Sequence, residues 1–336
     1  MFAQSLIDAL ENETDVREDI VNPLLTTLGY AKGTENNIRR ELSLKYTRAF
    51  LGHKKASDPE LRGRADYICE VRSFGRWTVE VKGPNEPLTV EDAHQAHSYS
   101  AHPEVGGCYA VVTNGKEFRV YRFAQPEDPF FTWRAEETGE RLMEIRNILG
   151  PEAIKRYTFR PIDPGKPLAE GYGPRVEIVG GTVVYDRHLI SSVESEHVRG
   201  YRATPTGRSV ERNTEGRIVA QLELAAPLKS WDDFNKAAGI EFYEFATADE
   251  YVSLNPDEPT IFQGLTRGLI KAGTPLPEIP GIQAGMVAPM DVEMNARTQA
   301  IGYLEGGRFK GTFEIDYGVM GQDVLTADGT FDIFLS

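Results

Sequence analysis

The chain has 336 residues and the composition of a globular protein, enough for two domains with a real core. A net charge of −14 argues against general adhesion to nucleic acid, and no apolar run reaches the length of a membrane span. The opening stretch, Met1 to Asp8, lacks a basic region and a long apolar run, so no secretory signal is expected there, and no membrane partner is expected either. Cys69 and Cys108 sit in strand-like apolar runs, which predicts reduced core cysteines in a cytoplasmic protein rather than a disulfide or a metal pair.

In chain order, residues 3–11 predict a short helix. Asp15-x-x-Glu18 has the form of a capping box. The helix after it carries Val16, Ile20, Val21, Leu24, Leu25 and Leu28 on one stripe, with Pro23 as a kink and Gly29 as its end. Residues 37–46 predict a strand, and 47–63 a loop or strand end. Segment 32–64 is the basic part of the chain, at +5 against −19 for the remainder. Arg39, Arg40, Lys54, Lys55, Arg62 and Arg64 lie in it; a solvated loop and a phosphate-contacting surface are both open readings.

Residues 64–82 read as a hairpin. Tyr67, Cys69 and Val71 alternate with Asp66, Ile68, Glu70 and Arg72; after a Ser-Phe-Gly turn, Trp77, Val79 and Val81 alternate with Thr78, Glu80 and Lys82. The apolar set faces a core, Glu80 and Lys82 share the other face, and tight pairing brings Asp66 toward Glu80. Two carboxylates and a lysine on one face suit Mg²⁺, which takes oxygen ligands, and hydrolysis of a phosphodiester, with the lysine holding or deprotonating water. Glu-x-Lys alone is common on surface strands; the upstream Asp and the alternation add the specificity.

Gly83 and Pro84 end the second strand. Thr89-x-x-Asp92 opens a helix to about Ala101, with Gln95 and Tyr99 on one face. His94, His97 and His102 lack zinc-like spacing to cysteines or carboxylates and read as an exposed helical face. Strands 107–113 and 117–123 flank an Asn114–Gly115 turn. Residues 126–174 read as a helical connector, with a helix over Glu136–Leu149, and a Pro/Gly-rich linker. Residues 175–336 read as mostly strands, at 176–185, 218–225, 240–245, 285–294, 300–305, 309–317 and 330–335, with a helix at 231–238 and a tight hairpin at Glu305–Arg308. A β-sandwich or barrel is expected. The acidic pairs Glu194/Glu196, Asp232/Asp233 and Asp249/Glu250 read as solvated surface.

Several stretches in fixed order carry a resemblance: Glu13-Thr-Asp-Val-Arg-Glu18, Leu24 to Tyr30, Arg39-Arg-Glu-Leu42, Gly63-Arg-Ala-Asp-Tyr67, Val79-Glu-Val-Lys82, Gln95 with Tyr99, and Val111 to Tyr121. Together they resemble the N-terminal nuclease domain of type I restriction enzyme motor subunits, within the PD-(D/E)XK nuclease superfamily, over about the first 125 residues. The resemblance implies an α/β restriction-endonuclease-like sandwich with a mixed central sheet over 1–125, ahead of the mostly β domain. It implies metal binding at Asp66, Glu80 and Val81, a water-positioning role for Lys82, and a supporting Gln-x-x-x-Tyr motif at Gln95 and Tyr99. The upstream acid is Glu13 or Glu18; spacing does not choose. Ala65 stands where the superfamily often has proline. No Gly-x4-Gly-Lys-Ser/Thr phosphate loop occurs, so the resemblance implies a cutting domain without a translocase.

The expected activity is a Mg²⁺-dependent DNA endonuclease, with Mn²⁺ as a substitute, serving as a gated effector against phage or foreign DNA. Residues 175–336 would then be regulatory, sensing a small-molecule or protein activator, or serving homo-oligomerisation. The alternatives are an inactive nuclease-fold protein that binds nucleic acid or a partner, and an RNA nuclease.

Overall fold

Two antiparallel strands joined by a short turn form the centre of the N-terminal half. In this computed structural model, which describes residues 1–46, 61–190, 193–194, 199–225, 229–277, 286–320 and 322–336, they are β2 of a six-stranded sheet and its neighbour β3. The sheet runs in chain order: β1 (Asn36–Tyr46), β2 (Leu61–Val71), β3 (Gly75–Val81), β4 (Tyr109–Thr113), β5 (Glu117–Arg122) and β6 (Phe131–Arg134). Only β3 and β4 pair in parallel, with the Val90–Ser100 helix as the crossover, so the sheet is mixed as expected.

Both faces of this sheet are covered. Tyr67, Cys69, Val71, Trp77, Val79 and Val81 pack with the N-terminal helices and with Ile145, Leu149 and Ile154. On the other face Ala65 and Ile68 pack with Tyr99, and Ala110 and Val112 with Ala93 and Ala96. Burial of both faces is why β2 and β3 show no exposed row beyond Arg64. Trp77 Nε1 donates to the Tyr30 hydroxyl at 3.0 Å, and that hydroxyl donates to the Leu149 carbonyl at 2.8 Å, so the core ties three distant segments by satisfied polar groups.

Local expectations need three corrections. The capping box at the first long helix is formed by Asn12 and Asp15, not by Asp15 and Glu18, so helix begins at Glu13. A wide π turn over Val16–Val21 runs directly into the Asn22–Leu28 helix and precedes Pro23, giving room where the proline ring lacks an N–H and would crowd the preceding turn. The stretch expected as a connector divides. Its helices Leu142–Leu149 and Pro151–Thr158 belong to the first of two compact units, Met1–Phe159, because Ile145, Leu149 and Ile154 are core residues there.

The second unit, Arg160–Ser336, is mostly β. Its strands are β7 (Arg175–Ile190), β8 (Val193–Glu194), β9 (Arg202–Thr206), β10 (Ser209–Arg212), β11 (Ile218–Ala225), β12 (Tyr243–Thr247), β13 (Thr260–Ile270), β14 (Val292–Glu305), β15 (Arg308–Val319) and β16 (Gln322–Leu335). From β10 to β16 each strand pairs antiparallel with the next; β16 pairs with β7, and β7 closes onto β10. The result is a closed eight-stranded barrel, not a sandwich. Strand β13 is additional to those expected from the sequence, and β14 runs unbroken through residues 295–299. Among the described residues no helix is long and apolar enough to cross a membrane.

Candidate functional site

The β2–β3 ladder ends at the pair Tyr67 and Val79. Beyond it, β2 continues along β1 as far as Leu61, and β3 continues along β4 to Val81. The sheet therefore splays at Asp66 and Glu80, the next residues in register. The gap admits a side chain between the strands: Asp66 Oδ2 accepts the Val81 N–H at 2.8 Å, replacing the ladder bond that the splay removes.

Glu80 is 4% exposed. Its Oε1 accepts from Lys82 Nζ at 3.0 Å, while its Oε2 is buried and, among the described residues, has no hydrogen-bond donor. Burial pushes the Glu80 carboxyl up to about 7; the negative charge of Asp66 adds to this, and the Lys82 ammonium opposes it. Burial also raises the Asp66 carboxyl, against the Val81 N–H and the Arg17 charge.

Lys82 Nζ reaches three acceptors: Glu80, Gln95 Oε1 at 2.9 Å and Asp92 Oδ1 at 3.5 Å. Burial works to lower its pKa, but the bonds and charges of Glu80 and Asp92 win, and the ammonium is held above its ordinary range. Gln95 Nε2 donates in turn to the Tyr99 hydroxyl at 3.0 Å, one helical turn on. Asp66, Glu80, Lys82, Gln95 and Tyr99 are thus brought together, as expected.

Of the two upstream acids, the structure brings in Glu13. Its carboxylate bonds the Arg17 guanidinium, which also holds Asp66 Oδ1 at 2.5 Å and Glu41 at 3.2 Å. Glu18 points elsewhere, to Asn22 Nδ2 at 2.7 Å and Arg40 at 3.8 Å. Arg17, Glu41 and Asp92 are site residues that the sequence reading misses. The available signal was spacing: Glu13 and Arg17 stand four apart on a helix.

The side chain of Val81 is apolar and buried and its N–H is taken by Asp66, so any ligand role falls to its carbonyl oxygen. Among the described residues no three His, Cys, Asp or Glu side chains form a ready metal cage. The donor set nevertheless fits a hard dication: two carboxylates, one with an unsatisfied buried oxygen, and a backbone carbonyl.

Of the basic residues, Arg39 is opposite Ile68, and Arg64 reaches Glu41 at 3.5 Å, which Arg17 links to Asp66. Arg40 is opposite Tyr67, with its guanidinium 5.7 Å from the Tyr67 ring centre and 3.0 Å from Asn22 Oδ1. Lys54 and Lys55 lie outside the described residues. His97 and His102 meet the carbonyls of Phe123 and Lys45, both at 3.0 Å.

Searched against protein-family models, the chain matches none, and no curated protein matches it.

Proposed function

We propose that the first unit is a PD-(D/E)XK-type nuclease that hydrolyses phosphodiester bonds in DNA with Mg²⁺, Mn²⁺ substituting. The observation that carries this reading is the Glu80 carboxylate: buried, pushed up to about 7, with one oxygen unsatisfied beside Asp66. A fold does not keep a buried carboxylate oxygen without a donor for stability, since an unsatisfied buried polar atom costs about 1–3 kcal/mol. A cation between Glu80 and Asp66 would remove that cost.

Asp66, Glu80 and the Val81 carbonyl would hold the metal. When bound, it supplies positive charge to the phosphate in transfer and acidifies water. Lys82 is held charged by Glu80 and Asp92, so its part is to orient water and neutralise phosphate oxygens rather than to take a proton. Gln95 fixes the Lys82 ammonium, and Tyr99 fixes the Gln95 amide. Arg64, which adjoins Asp66 through Glu41 and Arg17, and Arg62 two residues along β2 would meet backbone phosphates. A role in defence against phage or foreign DNA, gated through the second unit, follows by family analogy.

The test is plasmid cleavage by the purified chain with Mg²⁺, and by Lys82→Ala. Cleavage lost in the variant supports the site; equal cleavage by both sinks it. Matched DNA and RNA substrates separate the two nuclease readings. A second reading, a nuclease fold that binds without cutting, draws on the Arg17 guanidinium, which neutralises Asp66 without any metal. Mg²⁺ binding that Asp66→Ala removes would exclude it.

A further inference from the structure

We propose that the barrel interior of the second unit is a binding site for one small uncharged ring compound carrying a single hydrogen-bonding group, about the size of a phenol. This goes beyond the nuclease reading and does not depend on it. The barrel interior holds a cavity of about 110 Å³. Protein interiors rarely leave voids much larger than a water, and a dry apolar cavity of roughly 150 Å³ is known to take up benzene. Eight-stranded barrels are wide enough for packed side chains or for one small ligand.

The chain leaves the space through its choice of side chains. Ala220, Ala296 and Ala300 line the cavity where longer aliphatic residues would fill it. Most of the remaining wall is apolar, with Leu222, Phe262 and Phe331 among the lining residues; Thr298 and Tyr172 line it as well, and among the described residues no charged side chain does. That lining admits hydrocarbon and rejects ions. Tyr185, Tyr243 and Tyr317 line it too. The Tyr185 and Tyr317 hydroxyls act on each other, and the Tyr243 hydroxyl accepts from Asn235 Nδ2 at 3.1 Å. A phenol hydroxyl offers one proton and two lone pairs, so these side chains keep capacity for a guest. Burial raises the pKa of all three phenols, with Tyr243 pushed up to about 12, so they stay neutral donors and acceptors at ordinary pH.

The test titrates the full chain with phenol, toluene and benzoate by calorimetry. Phenol should bind, toluene about fivefold more weakly for want of one neutral hydrogen bond, and benzoate not measurably. Ala300→Leu should abolish phenol binding. Tyr317→Phe should bring the phenol and toluene affinities together while leaving toluene unchanged, and it decides the matter if Ala300→Leu does not fold. Lack of binding by both phenol and toluene up to roughly 10 mM overturns the proposal, being weaker than the ordinary millimolar limit of weak binding. So does benzoate binding as tightly as phenol, a folded Ala300→Leu that binds phenol unchanged, or a Tyr317→Phe variant that keeps the full preference for phenol.

Discussion

The Arg17 guanidinium holds Asp66 Oδ1 at 2.5 Å while the other Asp66 oxygen takes the Val81 N–H. Asp66 is thereby satisfied by the protein alone, and its neighbour Glu80 is not. The two acids at the splayed strand ends therefore differ in kind: one carries an internal counter-charge, the other an open oxygen. A metal entering the site competes with Arg17 for Asp66 and meets no rival at Glu80 Oε2.

That competition sets the behaviour of Arg17→Met. Without metal, the variant leaves Asp66 and Glu13 short of their shared cation and should lose about 2 kcal/mol in denaturant unfolding. With the rival gone, Mg²⁺ should bind about 5–10-fold more tightly by calorimetry, within the usual range of one competing charged interaction. Weaker Mg²⁺ binding in the variant would show that Arg17 supports the metal-bound form instead.

In the proposed reaction Gln95 would act only through Lys82, to which it is bonded. Gln95→Leu removes the Lys82 acceptor at 2.9 Å and leaves Glu80 and Asp92 in place, so the ammonium stays charged and loses only its direction. Cleavage should fall about 10–100-fold in kcat with little change in KM, the signature of a positioning group. A rise in KM at unchanged kcat would instead place Gln95 on the DNA.

Glu80 makes the metal-free protein pH-sensitive. Its folded value of about 7 lies above the ordinary 4.5, so the folded state binds the proton that the unfolded state releases. Stability from this group therefore falls as pH rises from 4.5 to about 7 and is flat above; the drop is on the order of 3 kcal/mol at about 1.4 kcal/mol per pKa unit. Unfolding in EDTA at pH 5 and pH 8 measures it. Glu80→Gln should abolish most of the drop and, at pH 8, stabilise the metal-free protein while removing metal binding. A variant with the same pH dependence as the unmodified chain would place the titrating group elsewhere.

How much of this was legible depended on the range of the interaction. The alternation over Tyr67–Val71 and Trp77–Val81, the Thr89–Asp92 cap and the Asn114–Gly115 turn are local patterns, and the structure contains each. The choice of Glu13 over Glu18 was not legible, because the wide turn at Val16–Val21 changes the phase of the helix between them. Pro151 opens a helix where the sequence pattern marks only the end of one, its fixed φ suiting the first turn. Barrel closure was out of reach: alternation marks strands, but not that β7 pairs with both β10 and β16. The strand expected at 176–185 is present within β7, and it runs through Gly180 and Gly181 at φ of 151° and 145°. The need for glycine there comes from β16, since a Cβ at Gly181 would stand 2.4 Å from the Asp332 carbonyl oxygen.

The ion pairs on β1 and β2 yield a prediction for DNA binding that separates two exposed arginines. Arg64, two residues along β2 from Arg62, reaches Glu41, which shares the Arg17 guanidinium with Asp66, whereas Arg40 is held by Asn22, Glu18 and the Tyr67 ring. Removing one phosphate-neutralising cation should lower the slope of log K against log salt by about 0.9. Arg62→Ala and Arg64→Ala should therefore each reduce the slope by about one and weaken binding alike across DNA sequences. Arg40→Ala should leave the slope unchanged, although Arg40 is exposed and basic just as Arg64 is. Binding measured by fluorescence anisotropy at several salt concentrations, in Ca²⁺ to prevent cleavage, gives the slopes. If Arg40→Ala lowers the slope and Arg64→Ala does not, DNA passes along Arg40, and the acids that Arg64 adjoins through Glu41 and Arg17 are not where its phosphates pass.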